Sequence, residues 1–202
     1  MDQSEYKIIN GKKNLIITFG GMVLQFGGIP PFEFLNYLST TYKDHCDLVF
    51  LIDKQQCWYH KGLAGITNNI EETVLYINNI IIEGKYDKVL FMGTSAGGYA
   101  ALLFASLCNN VNHVVSFIPQ TILKNPIDPK YTNLKNLINK TTTYILYGDI
   151  NQVDDLHHIS HCTNIDCFPN VKVFKNKGCN LKQLRDSGFI KKRINNVLHI
   201  YV

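Results

Sequence analysis

Six short apolar, β-branched runs separated by longer helical stretches constrain this chain most: residues 15–19, 48–52, 88–92, 113–118, 143–147 and 171–174. Short apolar runs of that length, alternating with longer helical stretches, read as the strands of a parallel sheet with helices covering it. The helical stretches are 31–41, 67–83, 96–108, 154–162 and 181–187, with a last helix after Phe189. The expectation is an α/β fold, a three-layer α/β/α sandwich around a mostly parallel sheet of about six strands. Residues 120–140 break the rhythm, because Pro126 and Pro129 punctuate them; they read as an excursion over the sheet with a short helix near 134–139. No repeat, low-complexity linker or shift in composition marks a boundary, so the 202 residues are expected to form one domain, with 1–13 as a flexible or peripheral segment.

Composition narrows the setting. At 46% hydrophobic and 18% charged residues the chain can bury a core and is not disordered as a whole. The net charge of +4 is spread along the sequence, which gives no basic patch for nucleic acid. No apolar run approaches the roughly 20 residues of a membrane span, and no secretory leader precedes the six cysteines, none of which forms a C-x-x-C pair. A reducing, cytoplasmic setting is expected. Heavy use of Lys, Asn and Ile, with Lys far ahead of Arg, suggests an A+T-rich source such as a protist, a low-G+C bacterium or a large DNA virus. Histidine and cysteine spacings match no metal-ligand set, and no cofactor motif is present.

Chemistry concentrates at the turn after residues 88–92. Gly93-Thr94-Ser95-Ala96-Gly97-Gly98 joins that strand to the helical run from Tyr99. A G-x-S-x-G turn between strand and helix is the nucleophile elbow: glycines admit a turn too tight for side chains, and the serine is strained at its apex beside a helix N-terminus. Ser95 is thus the expected nucleophile of acyl transfer. Backbone donors for an oxyanion are expected from Ala96 and from the glycine turn after 15–19, at Gly21 and Met22. Asp149, after strand 143–147, follows the order Ser, Asp, His and is the expected acid.

The base is the gap. The loop after 171–174 holds Gly178-Cys179-Asn180 and no histidine. His60, in the long loop after 48–52, and His157 and His158, placed on the helix 154–162, are the substitutes to consider; Cys179 is a remoter alternative nucleophile.

Thr18-Phe19-Gly20-Gly21, Pro31-Phe32-Glu33-Phe34, Trp58-Tyr59-His60-Lys61-Gly62-Leu63, Gly93 to Ala101 and Pro119-Gln120-Thr121 resemble the α/β-hydrolase superfamily from Leu15 onward. The nearer likeness is to small hydrolase-like proteins of bacterial polysaccharide and glycosylation loci. The resemblance implies a minimal α/β-hydrolase fold without a cap domain or the two leading strands of larger members. It also implies a serine esterase or acyltransferase with no cofactor, and places Cys179 where that family carries its histidine. An open site of this kind suits an ester of a small molecule or an acylated saccharide, with Gly20, Trp58 and Tyr59 on the binding surface. The competing expectation is a catalytically impaired relative that binds a saccharide, a lipid or a protein.

Overall fold

A computed structural model describes residues 4–22, 32–178 and 180–200. Seven strands form one sheet: β1 (Glu5–Ile8), β2 (Asn14–Phe19), β3 (Cys46–Leu51), β4 (Lys88–Thr94), β5 (His113–Phe117), β6 (Thr143–Asp149) and β7 (Val171–Asn176). Their order is β1-β3-β2-β4-β5-β6-β7, all parallel except β1, which pairs antiparallel with β3. The six apolar runs all became strands: those of β2 to β6 are buried on both faces, whereas β7, at the far edge of the sheet, leaves Phe174 38% exposed. The seventh strand was not expected. Glu5-Tyr6-Lys7-Ile8 is polar and short, as suits a sheet edge, so no hydrophobic period marks it. The peripheral N-terminal segment therefore supplies a leading strand for which the chain length had been expected to leave no room.

Helices cover both faces. On one lie α2 (Ile70–Gly84) and α3 (Ala96–Leu107), on the other α1 (Leu35–Thr41) and α6 (Phe189–Leu198); α4 (Ser160–Thr163) and α5 (Leu181–Asp186) are short. Helix α2 turns Ile70, Thr73, Ile77 and Ile81 inward at helical spacing. It starts three residues later than expected because Asn69 caps it: its side chain accepts from the Glu72 amide at 2.7 Å. Helix α3 is buried from Ala96 to Ala105, so it is apolar all round and fixes whatever is attached to its first turn.

Three expected helices are shorter. Phe34 sits in the left-handed region at φ 65° and delays α1 to Leu35; Pro31 lies outside the described residues. The helix near 134–139 is a single 3₁₀ turn, Leu134–Asn136, ended where Asn139 Oδ1 accepts from the Thr141 and Thr142 amides. The helix expected at 154–162 begins only at Ser160, since Asp154 Oδ1 captures the amides of Leu156 and His157 and closes a local turn instead. Among the described residues no helix is long and apolar enough to cross a membrane.

The chain runs from β2 to β3 toward one edge and from β4 through β7 toward the other. The reversal falls between β2 and β4, where a crevice opens beyond the carboxyl ends of the strands.

Candidate active site

Ser95 stands at that reversal, between the last residue of β4 and the first of α3. Its backbone is at φ 55°, ψ −119°, a conformation that costs an L-residue on the order of 1–3 kcal/mol. The neighbours enforce it. A Cβ on Gly93 would stand 2.2 Å from Gly97 O, and one on Gly97 would stand 2.1 Å from Phe19 O. The Ser95 amide donates to Phe117 O at 3.0 Å, which ties the elbow to β5 as well.

The Ser95 hydroxyl lies 2.8 Å from His157 Nε2. On the far side of the imidazole, Nδ1 lies 3.0 Å from Asp154 Oδ1. Asp154 Oδ1 also accepts from the backbone amides of Leu156 (3.0 Å) and His157 (2.9 Å). Desolvation pushes the Asp154 carboxyl up, but those amides and the facing imidazole outweigh it and hold the group below the ordinary carboxylate value. Serine, imidazole and carboxylate thus form one hydrogen-bonded series, with the carboxylate and the imidazole three residues apart on the β6–α4 loop.

The other expected residues fall elsewhere. Asp149 ends β6, and its Oδ1 accepts from the Asn151 and Gly178 amides, both at 2.9 Å, so it fastens the start of the His157 loop to the loop after β7. His60 is buried against Tyr99: Nε2 meets the Tyr99 hydroxyl at 3.0 Å and Nδ1 accepts from the Asp128 amide at 3.2 Å. His158 is exposed, and its Nδ1 meets Ser160 Oγ, at the start of α4, at 2.9 Å. Cys179 lies outside the described residues.

On the opposite side of Ser95, the Gly20 amide continues the sheet by donating to Leu51 O at 2.8 Å. Gly20 O accepts from the Tyr59 hydroxyl at 3.0 Å, and Met22 O from Gln56 Nε2 at 2.6 Å. With these two carbonyls held by side chains of the loop after β3, the Gly20–Met22 turn lies beside the elbow; a Cβ on Gly21 would be 3.7 Å from Thr94 O. Ala96, buried, opens α3 immediately after the serine. Tyr59, expected with Trp58 on the binding surface, is instead wholly buried, its ring packed on Phe19 and Phe104. Trp58 keeps an exposed edge, and its Nε1–H donates to Gln120 Oε1 at 2.7 Å.

Three residues that sequence reasoning passed over hold this arrangement. Asp53 accepts from the amides of Gln55, Cys57 and Tyr59 and so shapes the loop that presents Trp58. His161 joins the two loops flanking the site: Nδ1 accepts from the Thr121 amide at 3.1 Å, while Nε2–H donates to Asp155 O at 2.8 Å. Asp154 was hidden inside a stretch read as helix. Its spacing Asp-x-x-His to His157 was the available signal.

Buried histidines give the fold an acid limit. Burial lowers His60 and His161 below the ordinary value, and burial, with Lys88, His199 and Lys172 adding to it, brings His113 down to about 4. A histidine lowered in the folded state is protonated more readily in the unfolded chain. Its contribution is therefore full above pH 6.5 and is lost as pH falls toward 4. For His113 alone, discounted for its partial exposure, roughly 2 kcal/mol is expected to go. Urea unfolding midpoints at pH 7, 5.5 and 4.5 should fall steeply, and His113→Gln should flatten the decline; a midpoint independent of pH would contradict this.

No protein-family model matches the sequence, and no curated protein matches it either. Solved structures do. A lipase-esterase related protein from Clostridium acetobutylicum is 14% identical, with 98% of this chain and all of that one covered at a TM-score of 0.62. An esterase from Pyrococcus furiosus is 14% identical, covering 96% of this chain and 84% of its own at 0.63. An α/β hydrolase from the metagenome of Mar Chica lagoon sediments is 15% identical, covering 96% and 92% at 0.58. With the sheet order, the elbow and these likenesses together, the fold of this chain is that of the α/β hydrolases.

Proposed function

We propose that this chain is a serine esterase in which Ser95 is the nucleophile, His157 the general base and Asp154 the acid that orients it. The observation that carries the reading is the unbroken series from Ser95 Oγ through both nitrogens of His157 to Asp154. Donation of Nδ1–H to the carboxylate leaves the Nε2 lone pair facing the hydroxyl. On attack, Ser95 Oγ bonds to the ester carbonyl carbon, its proton passes to Nε2, and the carbonyl electrons move onto oxygen. The amides of Ala96 and of Gly21 or Met22 are the donors suited to that oxyanion. Collapse expels the alcohol, which takes the proton from Nε2. Water then attacks the acyl-enzyme with the same base. Ionised Asp154 stabilises the imidazolium throughout.

Water and a sugar hydroxyl are both chemically competent acceptors. The side chains of His157 and Asp154 are 27% and 46% exposed, which leaves water a direct path and favours hydrolysis. Residues 1–202 are read as one catalytic unit, since all seven described strands share one sheet. Asp149 acts in this reading by positioning the loop rather than by facing the imidazole.

The test is covalent. A fluorophosphonate probe at pH 8 is expected to label the wild-type chain and not Ser95→Ala, and p-nitrophenyl acetate to be cleaved only by the wild type. Absence of labelling, or equal labelling of Ser95→Ala, would refute the proposal.

A further inference from the structure

A cavity of about 610 Å³ opens beside the His157 loop, between the segment after β5 and the segment before α4. That is within the range of small-molecule sites, and its position puts it one residue from the base: Leu156, on its wall, directly precedes His157. We propose that this cavity binds the apolar part of the substrate, an aliphatic or aromatic group carried by the ester that Ser95 attacks. The inference rests on the serine-esterase reading and adds the class of group that the enzyme selects.

Its wall makes the case. Trp58, Ile122, Leu123 and Leu156 supply the apolar surface. Ile122 and Leu156 remain 42% and 50% exposed, apolar surface that a ligand in the cavity would cover. Several polar side chains of the wall already have partners within the protein. Gln120 Oε1 takes the Trp58 indole N–H, and Ser160 Oγ meets His158. Both nitrogens of His161 are engaged, and Lys124 pairs with Asp155 at 2.6 Å, cancelling the charge at the rim. An apolar group leaves these bonds intact and removes the exposed side chains from water, whereas a sugar or an ionised group would compete with them.

Two ester series test it. Acyl chains are lengthened from acetate to decanoate as p-nitrophenyl esters, and alcohols from ethyl to decyl as acetates. In one series kcat/KM is expected to rise roughly three- to fivefold per methylene until the cavity is filled. Growth in the first assigns the cavity to the acid part, growth in the second to the alcohol part. Ile122→Lys should lower the ratio of longest to shortest substrate at least tenfold, while Ile82→Lys, exposed on α2, leaves it unchanged. Flat series with acetate still cleaved would overturn the cavity assignment and leave the esterase reading standing.

If no ester is cleaved, the esterase reading falls and the cavity is judged by binding alone. Trp58 is the only tryptophan in the chain and lines the cavity, so its fluorescence reports occupancy without turnover. Decanol is expected to shift it saturably in Ser95→Ala, about tenfold more weakly with Ile122→Lys added. No shift up to the solubility limit would overturn the inference.

Discussion

His157→Ala is expected to lower kcat/KM on p-nitrophenyl acetate by about 10⁴–10⁶ and to abolish fluorophosphonate labelling, as removal of a triad member does when nucleophile and base act as a unit. His60→Ala and His158→Ala should retain turnover within a few-fold, because their ring nitrogens bond to Tyr99 and Asp128 in one case and to Ser160 in the other. The carboxylates separate in the same way. Asp154→Asn keeps the shape but not the charge opposite Nδ1, and a loss of about 10⁴ in kcat is expected. Asp149→Asn should cost far less in kcat and more in stability, since it weakens the acceptor that fastens Asn151 and Gly178. Steady-state kinetics on the five variants decide it: a larger kcat loss in Asp149→Asn than in Asp154→Asn would reassign the acid.

Gly97→Ala is expected to be the most damaging small substitution in the fold. Its methyl group would overlap the carbonyl of Phe19, and backbone on both sides leaves nothing flexible to yield. A loss of about 3 kcal/mol or more is expected, which for a chain of this size lowers the thermal midpoint by roughly 6–12 °C. The displaced Phe19 carries the Gly20–Met22 turn with it, so labelling of Ser95 should also fall in the protein that remains folded. Gly188→Ala serves as comparison. That glycine has φ 74° but open space around it, so only the conformational cost of about 1 kcal/mol applies. Thermal unfolding of the two variants side by side checks the difference, and equal midpoints would contradict it.

The legible parts of this chain were those fixed by short-range physics. Strands β2 to β6 announce themselves because nearly continuous apolar runs have one stable environment, the middle of a covered sheet, and β7 by its β-branched Val171 and Val173. The elbow was legible because Gly93, Ser95 and Gly97 satisfy steric demands that few other sequences meet. Strand β1 was not, since an edge strand gains from polar residues and therefore resembles a loop. Choosing among His60, His157 and His158 required the path of a loop, which neighbouring residues do not determine. Asp149 and Asp154 differ in which way a turn directs the carboxyl group: Asp149 toward two backbone amides, Asp154 toward an imidazole as well. That distinction depends on Asp154 capturing the amides of Leu156 and His157, a local bond that competes with the helix the pattern suggested.

In the proposed reading, with acid and base both on the β6–α4 loop, the machinery draws on two stretches of chain beyond the oxyanion turn: the elbow and a four-residue segment from Asp154 to His157. No described residue from β7 to the last helix then supplies a reacting group, and the loop after β7 serves the site through its backbone, where the Gly178 amide donates to the Asp149 carboxylate that also holds the start of the His157 loop.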